Sequence, residues 1–145
     1  MTYTKQFLIF TCLFITACTN KYEQRYQNYS DFDKVNQRNK GWFPNIISTD
    51  AYNLQNVSYL DSLCAFGTFS YSNNYFYDSI FDKTEINRID FSKFEQKVNE
   101  HLKRQPDWFL KIDKISKNEF QTIQQDRFYI VRHSKDKKVY FVLSN

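Results

Sequence analysis

The strongest helical period in the chain runs from Phe91 to Leu102. Phe91, Phe94, Val98 and Leu102 recur at spacings of three and four, which places one apolar stripe along a helix. Ser92 and Glu95 form a capping-box pattern at its start, and Pro106 stops it. A period of two marks a strand over Leu63 to Tyr71. Leu63, Ala65, Gly67, Phe69 and Tyr71 share one face, with Cys64 and Phe66 on the other, so its first half is expected to be buried on both sides. Asn73 and Asn74 read as a turn, and Tyr75 to Ile80 as a returning strand. Trp108 to Ile112 reads as another strand, and Ser116 to Glu119 as a short capped helix. Two β-branched and aromatic runs, Arg127–His133 and Val139–Leu143, are joined by polar residues 134–138 and predict a C-terminal β-hairpin.

Upstream, Ser30 stands as an N-cap with Asp33 three positions on, and Asp31 and Asp33 suit the positive end of a helix dipole. Phe32 and Val35 give that short helix its apolar side. Gly41 can end it in a left-handed conformation, and Pro44 cannot continue it. Gly41, Trp42 and Pro44 are therefore expected to build a structural corner, with Trp42 covering the last turn, and not a ligand site. Strands and helices do not alternate regularly. The expected fold is a small α+β domain: a mostly antiparallel sheet with helices packed on one face and a C-terminal hairpin.

The N-terminus follows a different rule. After Lys5 comes an apolar run from Phe7 to Ile15, too short to span a bilayer but suited to the core of a signal peptide. It ends in Ile15-Thr16-Ala17-Cys18: an aliphatic residue, two small residues and a cysteine. This resembles the lipobox of bacterial lipoproteins. The resemblance implies that a peptidase cuts between Ala17 and Cys18 and that the Cys18 thiol carries a diacylglyceryl group holding the protein to a lipid bilayer. One acyl chain binds reversibly, at about 0.8 kcal/mol per buried CH₂; two or three make the attachment stable. Thr19, where many lipoproteins kept in the inner membrane carry Asp, implies the outer membrane in a cell that has two. The expected organisation is a signal peptide over residues 1–17, a lipidated polar tether over 18–28, and one globular domain over 29–145.

Composition supports a folded domain. The chain has 145 residues, 41% hydrophobic and 19% aromatic, with 15 Phe and 11 Tyr, more than a disordered chain carries. The net charge of +4 is spread among acids. Even the densest basic stretch, Lys135 to Lys138, contains Asp136, so no nucleic-acid footprint is expected. Of the three cysteines, cleavage would remove Cys12 and lipidation would consume Cys18. Cys64 is then left without a partner and is expected to be a buried, unreactive thiol.

A second resemblance covers residues 29–69. Gly41, Trp42, Pro44, Ile46, Ile47, Ala51 and Leu54 are similar to the Gly-Trp-x-Pro pattern of uncharacterised exported bacterial proteins. Ser48 and Asp50 stand where that pattern has a second proline and a serine. The resemblance implies a periplasm-facing domain and no particular activity.

No catalytic constellation is visible. With 2 Gly in the chain there is no phosphate-cradling loop. His101 and His133 lie far apart in sequence, and no metal site or cofactor is expected. Asp78, Asp82 and Glu85 are acidic neighbours without a calcium-loop pattern. Asn28-Tyr29-Ser30 and Asn56-Val57-Ser58 match the glycosylation sequon only incidentally in a bacterial lipoprotein. The leading expectation is a non-enzymatic accessory or binding domain in the cell envelope, with an envelope protein as its partner. The alternative is a periplasmic immunity or inhibitor lipoprotein that neutralises a toxin or a lysozyme-like enzyme. A hydrolase using Asp61 and Glu85 is a third possibility that no spacing supports.

Overall fold

The computed structural model describes residues 20–82 and 88–145. The segment that carries Cys12, Ala17 and Cys18, and also Glu85, lies outside them. Six strands form one antiparallel sheet: β1 (Lys21–Asn28), β2 (Tyr52–Tyr59), β3 (Cys64–Ser70), β4 (Phe120–Gln125), β5 (Phe128–His133) and β6 (Lys138–Leu143). Their spatial order is β1-β2-β3-β6-β5-β4, so the C-terminal strand sits in the middle and joins the two halves of the chain. The helices are α1 (Tyr29–Lys34), α2 (Asn74–Phe81) and α3 (Phe91–Glu100).

The α+β class, the antiparallel sheet and the C-terminal hairpin are all present. The layering differs from the expectation, because the helices cover both faces. One core joins Phe32 of α1 and Tyr77 and Phe81 of α2 to Ala65, Phe69, Ile130, Val139 and Phe141 of the sheet. The other joins Phe94 and Val98 of α3, with Phe109 and Leu110, to Val57, Phe66, Val131 and Val142. Neighbours such as Ile130 and Val131, or Phe141 and Val142, point to opposite faces, so the central strands are apolar at consecutive positions.

The Ser92 and Glu95 capping box does not form, since α3 has Asp90 as its N-cap with no side-chain cap hydrogen bond. Four other local expectations give way to packing. Residues 21–28, expected in the tether, form β1 against β2, with Lys21 opposite Tyr59 and Asn28 opposite Tyr52. Being an edge strand, β1 carries only a weak apolar alternation, through Tyr22 and Tyr26. The helix α1 is capped two residues earlier than Ser30, where the Asn28 side chain accepts from the Asp31 N–H at 3.0 Å. Tyr75 to Ile80 belongs to α2 and not to a strand. Asn73 is its N-cap, accepting from the Tyr75 N–H at 2.9 Å, and Tyr77 and Phe81 are buried one turn apart. Among the described residues Trp108 to Ile112 pairs with no strand; Phe109 instead drops onto Phe66, with ring centroids 5.0 Å apart.

Gly67 in β3 faces Phe141 in β6, and the Phe141 ring occupies the space that a Cβ would need. This close approach lets the ring lie flat across the sheet centre.

Candidate functional site

Gly41 takes φ 76°, a left-handed conformation that follows the 3-10 turn Gln37–Lys40 and not α1 itself. The chain then folds back over the α1 and α2 face. Trp42 is only half-buried; the aromatic that enters the core is Phe43, 1% exposed. Its ring meets Phe32 at 5.1 Å, Phe141 at 5.7 Å and Tyr26 at 6.3 Å. Pro44 is buried beside it. The Trp42 carbonyl accepts from Asn56 Nδ2 at 2.9 Å, which fixes the corner to β2.

Beyond this corner the loop 45–50 forms one wall of a cleft of about 450 Å³, lined by Tyr29, Arg38, Ile47, Ser48, Thr49, Asp50, Asn73, Tyr75 and Phe76. Arg38 braces the loop. Its guanidinium donates to the carbonyls of Asn45 at 2.9 Å and Ile47 at 2.8 Å and to Tyr29 Oη at 3.3 Å. Among the described residues Arg38 has no carboxylate partner, so its charge is left for the cleft.

Asp50 ties the loop to the start of α2. It accepts from the backbone N–H groups of Ser72 at 3.0 Å and Asn73 at 2.8 Å and from the Ser48 hydroxyl. Burial pushes the Asp50 carboxyl up, but the Ser48 hydroxyl and the two N–H groups outweigh it and hold the group below its ordinary value. Burial drives the Tyr77 phenol up to about 12, and its oxygen lies 2.9 Å from Ser48 Oγ. Asp50 is thus an ionised, fully hydrogen-bonded clamp. The aromatic rim above it is open, with Tyr75 82% and Phe76 41% exposed.

A second polar cluster lies under α2. Arg132 in β5 is fully buried; it donates to Tyr71 Oη at 2.7 Å, Gln121 Oε1 at 3.1 Å, Asn74 Oδ1 at 2.8 Å and Asp78 Oδ1 at 2.6 Å. The rings of Tyr71, Tyr77 and Phe81 surround the cation at 5.6–6.0 Å. This arginine is saturated by the fold and holds α2 on the sheet. A basic residue in a β-rich run gives no warning of such burial in sequence.

The remaining sequence candidates are dispersed. Asp61 makes a two-pronged pair with Arg104 at 2.7 and 2.9 Å, and that hydrogen bonding holds its carboxyl below the ordinary range. Asp82 accepts from Gln121 at 2.8 Å, while Asp78 faces Arg132. His101 lies 3.1 Å from Ser144 just beyond one end of β6, and His133 pairs in register with Lys138 at the other end, about 20 Å of strand away. Among the described residues no group of three metal-ligating side chains converges. Cys64 is fully buried and accepts from Ser62 Oγ at 3.2 Å. Lys135 and Lys137 lie in the loop of the β5–β6 hairpin, Lys138 opens β6, Asn28 caps α1 and Asn56 is buried.

Residues 20–70 match the family model of the YbbD head domain. That segment runs from the start of β1 to the end of β3, so it supplies Tyr29, Arg38 and the loop to Asp50, but not Asn73, Tyr75 or Phe76. No curated protein and no solved structure matches the chain.

Proposed function

We propose that the protein is a bacterial lipoprotein, anchored through acylated Cys18 and placed in the outer membrane where the cell has two, whose folded part is a non-enzymatic binding domain of the cell envelope. The match to the YbbD head domain supports the coarser statement, an exported protein of the envelope type. The observation that carries the binding role is the Tyr75–Phe76 rim beside Arg38. Large aromatics with an arginine are the residue types that dominate protein-contact hot spots. The carboxylates nearby hold structure together instead of facing a substrate. The same surface would serve the alternative role, inhibition of a toxin or lysozyme-like enzyme.

The anchor and the fold are close together. With lipid on Cys18 and β1 beginning at Lys21, only Thr19 and Asn20 intervene, and the three steps reach at most about 10 Å, so the domain rides close to the membrane surface and not on a long stalk. Intact-mass analysis of membrane-extracted protein tests the anchor: the chain should begin at residue 18 with added acyl mass, and Cys18→Ser should block processing. Normal processing and membrane retention of that variant would refute it. Tyr75→Ser with Phe76→Ser tests the rim. Pull-down from the native envelope should lose its partner while the thermal midpoint holds; a partner that stays bound would place the contact elsewhere.

A further inference from the structure

We propose that the outer edge of β1 is a homodimer interface, at which two copies of the chain join their sheets antiparallel about a two-fold axis through Gln24. The two ends of the sheet are treated differently. The outer edge of β4 is covered at its middle, because Arg88 bridges to Ile123 and the Ile89 N–H donates to the Thr122 carbonyl at 3.3 Å. At β1, no strand and no backbone hydrogen bond from the described residues reaches the outer edge. A row of unpaired N–H and C=O groups is a template for another strand. Natural edges are commonly protected by charge, and β1 does carry Lys21, Glu23 and Arg25.

The order of those charges selects a partner. A two-fold axis perpendicular to the sheet keeps each side chain on its own face, so paired residue numbers must sum to an even value. Centring on Glu23 sets Glu23 against its own copy and Lys21 against Arg25. Centring on Arg25 sets two arginines together. Both are repulsive. Centring on Gln24 sets Glu23 against Arg25 twice and Tyr22 against Tyr26 twice, with Lys21 opposite Gln27. Tyr22 is 59% exposed and ready for such a ring pair. Gln24 itself meets only its own uncharged copy on the axis. The strand is self-complementary in one register and self-repelling in the registers beside it. This is how an edge admits a second copy of itself while rejecting other strands. The pairing needs neither the anchor nor the cleft, which opens on α2.

The test uses the full chain in mild detergent. Sedimentation should show a monomer–dimer equilibrium. Glu23→Lys should weaken it about tenfold, as two opposite-charge pairs become like-charge pairs. The swap Glu23→Arg with Arg25→Glu should restore it, with circular dichroism showing the same fold throughout. Gln24→Cys should form a disulfide dimer on mild oxidation that neither the parent nor Gln27→Cys forms. A monomer at all concentrations, a dimer indifferent to Glu23→Lys, or a swap that fails to restore association would each overturn the proposal.

Discussion

Replacing Phe43 by alanine, beside the same change at Trp42, tests how the corner after Gly41 is held. Phe43 is buried on every side by Tyr26, Phe32, Phe141 and the sheet. Removing the ring takes away roughly 150 Å² of buried apolar surface at about 25 cal/mol per Å², which is about 4 kcal/mol. The site cannot collapse to recover this, because its neighbours are themselves fixed rings, so the loss should match the usual 3–5 kcal/mol, roughly, for a buried phenylalanine. Trp42 is half-buried, and its hydrogen bond to Asn56 uses a backbone carbonyl that survives substitution. Its loss should be about 1–2 kcal/mol. A domain of this size has about 5–15 kcal/mol in all. Phe43→Ala should therefore lower the urea midpoint by about 2 M, and Trp42→Ala by less than about 1 M, with m unchanged. Far-ultraviolet circular dichroism is the suitable signal, since one substitution removes a tryptophan. Equal midpoints for the two variants, or a Phe43→Ala shift smaller than that of Trp42→Ala, would refute this account.

Arg132→Met should cost about 3 kcal/mol in urea unfolding, because Tyr71, Asn74, Gln121 and Asp78 lose one shared donor; a near-neutral result would show the cluster to be dispensable. His101 titrates below its ordinary 6.5 because burial disfavours the charged ring, so the unfolded chain binds the proton first. Its contribution is full above about pH 6.5 and is lost as the pH falls through the lower folded value; His101→Gln should flatten the stability–pH slope between about pH 7 and 5. Gly67→Ala should push the Phe141 ring out of the sheet centre and destabilise by about 1–3 kcal/mol, read as a lower thermal midpoint.

The elements legible in the sequence are those whose pattern matches their burial. The Phe94–Val98 part of the helical stripe, the alternation of β3 and the β-branched hairpin bury most of what they announce, while Leu102 at the end of that stripe and Leu63 ahead of β3 stay exposed. The missed strands do not. In β2, Asn56 and Ser58 are almost wholly buried, so polar residues stand where a core strand should read apolar. In β4 four of six positions are Phe120 or glutamines that are only partly covered, and β1 is an edge with two tyrosines. Asn73 was ambiguous for a physical reason: asparagine favours both turns and helix N-caps. The Tyr77–Phe81 spacing of one helical turn, not the aromatic content, carried the decisive signal for α2. The cleft could not be read at all, because Arg38, Asp50 and Tyr75 come together only through tertiary contacts such as Asp50 with the Ser72 and Asn73 backbone.

That clamp also explains why the rim faces outward. The Asn73 cap and the Asp50 carboxylate fix where α2 begins, and burial of Tyr77 and Phe81 fixes how it is rotated. With both set, Tyr75 and Phe76 must point toward solvent next to the loop that Arg38 braces. Folding asks only that these two positions be polar enough to tolerate water and able to stay helical. Serine, glutamate or lysine would meet that demand better than an aromatic pair. Two large rings held at an exposed helix start, beside an arginine with no carboxylate partner among the described residues, are therefore not accounted for by stability. Their presence favours the binding role proposed for this rim.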